Sequence, residues 1–287
     1  MGFGRILFPT DFSKGADHAL ENVISLPGVR EVIVQHVVST YFEKHSHWTT
    51  LFDIHEMQKY MEMYVQTEMA KITSQKSNRD SVSCRTIVSE GKPAQQIVEL
   101  AEKERVDLIV MGPAKGVVTS SVIRASSHPV LAVPQTENEM RPLQKLAKML
   151  VTTDCSPQSK KVVDYAFELK QLFDCELFLL YAIELTSAVK FGIHQGYFTN
   201  ATSKMRTWAK NQLENLTPHQ YVKDPAVHWL VEEGPASDKI AECAEAYDID
   251  LVVMGAHGYG PVQKHFVGTT TDKVLTKISK PLLTVKM

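Results

Sequence analysis

The sequence predicts an α/β protein made of two tandem domains, each built on a doubly wound parallel sheet. The first observation is an internal repeat in the 287 residues at an offset of 143. Positions 90–112 share 11 identities in 23 with positions 233–255, where chance supplies about one or two. The second is that both copies alternate apolar and amphipathic segments, the order expected for right-handed βαβ crossovers. The domains are predicted at 1–138 and 144–287, joined by the polar stretch Gln135–Gln144.

In the first copy, apolar segments predict strands and the segments between them predict helices. Asp11 or Ser13 can cap the first helix, which is expected to run to about Leu26. The continuous apolar run DLIVMG is typical of a parallel strand that is covered on both faces. The predicted strands are Arg5–Pro9, Glu31–Val38, Val82–Ser89, Asp107–Gly112 and His128–Val133, and the later helices are about His55–Ser74 and Pro93–Arg105.

The second copy repeats this order. Its strands are predicted near Lys148–Thr152, Glu176–Ile183, Val227–Glu232, Asp250–Met254 and Leu282–Lys286, and its helices near Pro157–Phe173, Ala201–Leu216, Ala236–Ala246 and Thr269–Ser279. In such sheets, ligands bind beyond the carboxyl ends of the strands, at the point where the strand order reverses. The residues that follow the first, second and fourth strands are therefore the candidates for a site.

Composition excludes several classes of protein. Hydrophobic residues make up 44% and charged residues 22%, as in globular proteins. With a net charge of −2, the chain lacks the excess of positive charge that nonspecific binding of nucleic acid requires. The longest apolar run, Leu177–Ile183, is far shorter than the ~20 residues of a membrane-spanning helix, and no signal peptide is apparent. Four cysteines without a Cys-x-x-Cys pair fit a reducing compartment, so a cytoplasmic protein without a membrane partner is expected.

A glycine-rich segment follows the fourth strand of the second copy. Gly255, Gly258 and Gly268-Thr269 stand in the spacing Gly-x2-Gly-x9-Gly-Thr. Glycines let a main chain pass close to a ligand, and a helix that opens at Gly268-Thr269-Thr270 offers free N–H groups and a dipole to a phosphate. Asp154, after the first strand, can accept from a ribose hydroxyl or hold a metal ion. The segment therefore predicts a phosphate-binding loop.

This spacing resembles the nucleotide-binding signature of the universal stress protein family, Gly-x2-Gly-x9-Gly-(Ser/Thr). RILFPTDFS at 5–13 and VIVQHVV at 32–38 resemble that family's first two strands, and DLVVMGAHG at 250–258 its fourth. HPVLAV at 128–133 and KPLLTV at 280–285 resemble the last strand. The chain is identified as a tandem two-domain member. The resemblance implies Rossmann-like domains of the adenine nucleotide alpha hydrolase-like type.

The resemblance also implies a nucleotide site in the second copy. The adenine is expected against the ends of the first three strands, with phosphates along the glycine segment. One departure is Thr152, where the family often has the proline seen as Pro9 in the first copy. The implied contacts are Thr152, Thr153, Asp154, Ala182, Val231, Met254, Gly255, Gly258, Gly268, Thr269 and Thr270.

The first copy lacks part of this segment. The stretch from Met111 to Pro129 is shorter than the equivalent stretch from Met254 to Pro281, and no Gly-(Ser/Thr) pair opens the next helix. The nine missing residues come from the phosphate loop, so this copy is not expected to bind a triphosphate in the family manner. Lys115, Ser120 and Ser121 are candidates for a smaller anion, with a solvated surface as the alternative.

Other site chemistries find less support. The sequence contains no Gly-x4-Gly-Lys-(Ser/Thr) loop and no Gly-x-Ser-x-Gly elbow. His45, His47 and His55 lie near Asp53 and Glu56, a set that suits zinc or belongs to a polar lid. His257 lies in the glycine segment, where a lone histidine is more often solvated than catalytic.

The expected function is that of a cytoplasmic stress-response protein that binds ATP, ADP or AMP in its second domain, with Mg²⁺ as an optional companion. No positioned general base stands in the loop, so binding rather than turnover is predicted. One alternative is an interaction module for an unknown protein partner, with no nucleotide. There the last strands, Pro129–Val133 and Pro281–Lys286, pair the two copies as an intramolecular pseudo-dimer, or chains associate as a homodimer. The other is a slow ATPase in which Asp154 holds Mg²⁺.

Overall fold

The chain divides into two compact units, Met1–Gln144 and Lys145–Met287. The computed structural model describes residues 2–24, 26–39, 54–74, 82–112, 115–134, 143–184, 195–256 and 269–286. Among these residues, no helix is both long enough and apolar enough to span a membrane.

The first unit contains a parallel sheet whose strands are ordered β3-β2-β1-β4-β5. The strands are β1 (Arg5–Pro9), β2 (Glu31–Ser39), β3 (Ser83–Gly91), β4 (Leu108–Met111) and β5 (Val130–Ala132), and the described helices are α1 (Lys14–Val23), α2 (Ile54–Ser74), α3 (Pro93–Glu104) and α4 (Val117–Ala125). The order reverses at β1, because β2 and β3 extend the sheet on one side of it and β4 and β5 on the other.

The central strands of this sheet are covered on both faces, as the burial of β2 shows. Val32, Ile33 and Val34 are consecutive in β2 and all have 0% exposure, which requires cover above and below the strand. Ser13 caps α1, since its hydroxyl oxygen accepts from the N–H of Ala16 at 3.3 Å. These local signals explain why the strands and α1 form where the sequence places them.

The second unit repeats the topology, with strands in the order β10-β9-β6-β7-β8, all parallel. The strands are β6 (Lys148–Thr152), β7 (Glu176–Ile183), β8 (Val227–Glu233), β9 (Leu251–Gly255) and β10 (Leu282–Val285), and the described helices are α5 (Ser159–Phe173), α6 (Gln195–Leu216), α7 (Ala236–Ala246) and α8 (Thr269–Lys277). The predicted α/β class with two tandem, doubly wound parallel-sheet domains is confirmed.

Strand register locates the length difference between the copies. Ile109 in β4 pairs with Val130, and Val252 in β9 pairs with Leu282. The two pairs occupy the same place in their sheets, but the stretch of chain between the partners is longer in the second pair. The nine extra residues of the second unit therefore lie between β9 and β10, as the sequence comparison indicates.

Two helices differ from the sequence expectation. The predictions include no element at α4, whose residues Val117–Ala125 are rich in β-branched side chains with low helix propensity. Burial of Val122 and Ile123, at 0% and 1% exposure, offsets that deficit. α6 begins at Gln195 rather than near Ala201, a start that helix propensity does not predict because Gly196 and Asn200 are weak helix formers.

Candidate functional site

The turn between β6 and α5 is held by its own hydrogen bonds. The Thr153 N–H donates to the Leu180 carbonyl at 3.1 Å, and the Thr153 hydroxyl oxygen accepts from the Cys155 N–H at 3.0 Å. Asp154 Oδ1 accepts from the Ser156 N–H at 3.0 Å. Asp154 is exposed beyond the strand end, and a carboxylate has room for further hydrogen bonds, such as those from the hydroxyls of a ligand.

Buried hydroxyl groups join this turn to the start of α5. Ser156 Oγ accepts from the Ser159 N–H at 3.1 Å, and the Ser159 hydroxyl lies 2.8 Å from that of Thr153. All three side chains are at most 9% exposed. The network fixes the position of Asp154 before any ligand arrives. Thr152 ends β6 and is half-buried at its edge.

The ends of β7 and β8 provide the next part of the site. Tyr181 is in register with Val231, and Ala182 follows Tyr181. Ala182 and Val231 are both half-buried. Arg206 on α6 donates to the Val231 carbonyl at 3.0 Å and forms an ion pair with Glu233 at 2.6 Å. The two strand ends thus offer a small apolar surface. Arg206, held by its ion pair with Glu233, fixes the main chain of β8 beside that surface.

The end of β9 lies against the start of α8. The Thr271 hydroxyl, in a side chain that is 1% exposed, donates to the Gly255 carbonyl at 3.2 Å. Met254 is 4% exposed, so its main chain is better placed than its side chain for a ligand, and Thr270 is half-buried. The two ends of the glycine segment therefore meet. Gly258 and Gly268 lie outside the described residues, as does His257, and of Thr269 only its place in α8 is described.

These strand ends belong to neighbouring strands. β6 pairs with both β7 and β9, and Val151 is in register with Val253, so Thr152 and Met254 follow side by side. The sheet continues to β8 on one side of β6 and to β10 on the other. Those candidate residues that the structure describes lie where the strand order reverses, the usual place of ligands in such sheets.

Two titratable groups beside Asp154 are neutral at physiological pH. Burial raises the pKa of the Cys155 thiol to about 11, and the Asp154 charge adds to that rise. Burial also raises the pKa of Tyr181, with smaller contributions from Cys155 and Asp154. A protonated thiol is a poor nucleophile. The chemistry of this edge therefore favours binding through neutral donors and one carboxylate.

The first unit has the same turn after β1. The Thr10 N–H donates to the Gln35 carbonyl at 2.8 Å, and Asp11 Oδ1 accepts from the Ser13 N–H at 3.0 Å. Phe12 has a φ of 60°, against 58° for Cys155 in the second unit. The main chain of this part of the site is therefore repeated in both copies.

The end of β4 differs from the end of β9. A Cβ atom at Gly112 would lie 2.7 Å from the Gly15 carbonyl oxygen, so the chain packs tightly on α1 there. The Ser121 hydroxyl donates to the Val117 carbonyl at 2.8 Å, Lys115 is exposed and Ser120 is half-buried. Helix α4 begins at Val117, a residue that offers no hydroxyl to an anion.

The histidine-rich segment after β2 is only partly described. His45, His47 and Asp53 lie outside the described residues, while His55 and Glu56 are exposed at the start of α2. Within the described ranges, no three His, Cys, Asp or Glu side chains are grouped closely enough to hold a metal ion.

Arg206 and Thr271 are functional candidates that the sequence predictions miss. Thr271 directly follows the predicted pair Thr269-Thr270, and the run of three threonines was the available signal. Arg206 lies on a different element from Val231, and their contact depends on the packing of α6 on β8. No local pattern predicts such a contact.

Comparisons with known proteins agree with this fold. The profile of the Universal stress protein family matches residues 2–134 and 145–286. Universal stress protein MJ0577 of Methanocaldococcus jannaschii is 30% identical over 153 residues, 46% of this chain and 94% of that protein. Universal stress protein A homolog 2 of Coxiella burnetii is 27% identical over 143 residues, 49% of this chain and 94% of that protein.

A solved structure also resembles the whole chain. The crystal structure of a universal stress protein from Archaeoglobus fulgidus matches with a TM-score of 0.67 and 18% identity, over 98% of this chain and 96% of that one. This likeness concerns the fold alone. Since the family profile matches both units over nearly their full length, the chain is a member of the universal stress protein family with two copies of the family's domain.

Proposed function

We propose that the second unit binds an adenine nucleotide (ATP, ADP or AMP), and that the protein acts in the cytoplasm as a nucleotide-dependent binding module of the stress response. The observation that carries this proposal is the hydrogen bond from Thr271 to the Gly255 carbonyl. It brings together the two ends of a segment with the spacing Gly-x2-Gly-x9-Gly-Thr. That junction lies at the end of β9, which pairs with β6, the strand that the exposed Asp154 follows at the switch point of the sheet.

The nucleoside would occupy the ends of β6, β7 and β8. Ala182 and Val231 supply apolar contact, and Thr152 lines the edge between them and β9. Asp154 would accept hydrogen bonds from the ribose hydroxyls, since its Oδ2 is not the oxygen that holds the turn. The prior hydrogen bonding of this turn means that binding orders few side chains, which favours affinity.

The phosphates would occupy the glycine segment and the start of α8. Met254 and Gly255 would present main-chain groups, and Gly258 and Gly268 would let the chain approach the phosphates closely. Thr269 and Thr270 would add hydroxyl donors at the helix N-terminus, where the dipole favours negative charge. Mg²⁺, when it accompanies ATP, would be held mainly by the phosphates.

The binding of labelled ATP to wild type, Gly268→Val and Gly260→Val tests the proposal. Valine at 268 would obstruct phosphates at the helix start, so an affinity loss of at least about tenfold is expected, equal to ~1.4 kcal/mol. Gly260 lies in the same segment but outside the spacing, and Gly260→Val should retain most of the affinity. Equal affinity of wild type and Gly268→Val, or no binding by wild type, would contradict the proposal. Mass spectrometry of co-purified small molecules would identify the nucleotide.

A further inference from the structure

Helix α2 of the first unit exposes two large side chains to solvent. Met63 and Tyr60 are 58% and 48% exposed, and they are neighbours on the helix surface because they stand three residues apart. The Tyr60 ring is supported from behind, since it meets Phe12 edge-on with 5.2 Å between the ring centroids. A side chain that is already held in place loses little conformational entropy when a partner covers it.

Helix α6 holds the same place in the second unit and exposes one large aromatic side chain. Trp208 is 48% exposed and meets Tyr181 edge-on with 5.8 Å between the ring centroids. Trp, Tyr and Met are residue types that protein interfaces favour. Exposed apolar residues that stand singly are nevertheless common on protein surfaces, so the choice of a partner depends on the charges around them.

Those charges have opposite signs on the two helices. Glu56 stands four residues before the exposed aromatic residue of α2, and Lys204 stands four residues before that of α6. Glu62 and Lys210 each stand two residues after the aromatic residue of their own helix. All four side chains are exposed. At two matching positions, a carboxylate in the first unit is therefore replaced by an ammonium group in the second.

A third exposed charge on each helix is also opposite in sign, Lys59 on α2 and Glu214 on α6. Arg206, the other exposed charged side chain on the described part of α6, is already paired with Glu233 at 2.6 Å. Two glutamates and one lysine on α2 thus face two lysines and one glutamate on α6. The outer face of α2 comprises Glu56, Lys59, Tyr60, Glu62 and Met63, and the outer face of α6 comprises Lys204, Trp208, Lys210 and Glu214.

We propose that the outer face of α2 in one chain docks on the outer face of α6 in a second copy of the chain. Tyr60 and Met63 would pack on Trp208, a contact that benefits from the attraction between a thioether and an aromatic ring. The two glutamates would lie opposite the two lysines. A second copy is the partner that the charges favour, because each face repels its own kind and attracts the other.

This contact joins two different faces, so it can repeat from chain to chain and either close into a ring or grow into a filament. One contact between two helices is small beside the roughly 1,200–2,000 Å² of a stable interface, so we expect reversible association at micromolar or higher concentrations. Sedimentation velocity between about 5 and about 200 μM protein, without nucleotide, would measure it. Raising NaCl from about 50 to about 500 mM should weaken the association severalfold, because the charges are exposed to screening.

Two charge-reversed variants test the pairing of the faces. Glu56→Lys with Glu62→Lys makes both faces basic, and Lys204→Glu with Lys210→Glu makes both acidic. Each variant alone should associate at least about tenfold more weakly than wild type. An equimolar mixture of the two should recover the association, because each basic face then meets an acidic face of the other variant.

Glu168→Lys is the control, since it reverses an exposed charge on a different helix, α5, and it should associate as wild type does. Trp208→Ala should weaken the association about tenfold, and circular dichroism with thermal unfolding would confirm that every variant folds. Wild type that shows no dependence on concentration, reversals that leave the association unchanged, or a mixture that does not recover would overturn the proposal. An equal loss in Glu168→Lys would also overturn it, because net charge would then explain the effect.

Discussion

The ammonium nitrogen of Lys170 lies 3.0 Å from Asp224 Oδ2, although only 8% of the lysine side chain is exposed. The same ammonium stands 5.4 Å from the ring centroid of Tyr221. Asp224 Oδ1 accepts from the Ala226 N–H at 2.8 Å. One carboxylate therefore neutralises a buried cation on α5 and also shapes the turn that leads into β8.

Replacing Asp224 by alanine should destabilise the second unit by about 3 kcal/mol, because it leaves the Lys170 ammonium buried without its partner. Urea unfolding followed by circular dichroism would measure the change. Asp164→Ala is the matched control, since Asp164 pairs with Lys160 at 2.6 Å but both side chains are about half exposed, and exposed pairs contribute less than about 1 kcal/mol. Similar losses in the two variants would contradict this account.

Acid sensitivity should depend on Asp224. The hydrogen bond from the Ala226 N–H, followed by the bond and charge of Lys170, lowers the pKa of this carboxyl below its usual 3.8. The unfolded chain therefore binds a proton more readily, and the stabilisation is present above about pH 4 and lost as pH falls through the folded pKa. Asp224→Asn should flatten the fall in unfolding free energy below pH 4. An unchanged slope would show that Asp224 does not contribute.

The aspartates before β4 and β9 should differ in their contribution to stability. Asp250 Oδ2 accepts from the N–H groups of Ala147 and Lys148 at 2.8 and 2.9 Å, and Asp250 is 8% exposed. The equivalent Asp107 accepts from the Arg5 N–H at 2.8 Å but is exposed. Asp250→Ala should lower the free energy of unfolding by about 2 kcal/mol, and Asp107→Ala should lower it by less than about 1 kcal/mol. Denaturant unfolding would measure both changes. The reverse order would contradict the role of burial.

The four thiols should react slowly in the folded protein. Burial raises the pKa of each to about 11. At pH 8, alkylation by iodoacetamide should be roughly two orders of magnitude slower than for a free thiol, because the thiolate reacts, and urea should restore the normal rate. Stability should also fall as pH rises from about 9 to 11, since the unfolded chain loses these protons first. Fast labelling of a native thiol would contradict the prediction.

The repeat and the strand periodicity were sufficient to predict the architecture. Continuous apolar runs such as Leu177–Ile183 are typical of a parallel strand that is covered on both faces, and the alternation with amphipathic segments favours that assignment over a buried helix. Helix α4 escaped prediction because its stability comes from burying Val122 and Ile123, and intrinsic propensity in Val117–Ala125 points away from a helix. A short helix that is stabilised mainly by its contacts with the rest of the domain is therefore hard to predict from its own residues.

The placement of the candidate residues was predictable where they stand at or just beyond the carboxyl ends of strands. Asp154, Ala182 and Gly255 need only the rule that ligands meet carboxyl strand ends. The ring contact between Tyr181 and Trp208 was not predictable, because the two residues belong to different elements and Trp208 reaches Tyr181 only when α6 packs on β7.

The contact between Gly255 and Thr271 has a consequence for how this family of domains varies. Because the segment between them is already closed at its base, its length is uncoupled from the sheet, and adding or deleting residues changes the closure entropy only slowly. The two copies can therefore differ in loop length while the strand register on either side stays the same. A change of length in this segment is therefore compatible with an unchanged sheet, so that a duplicated domain can lose residues there and keep its fold.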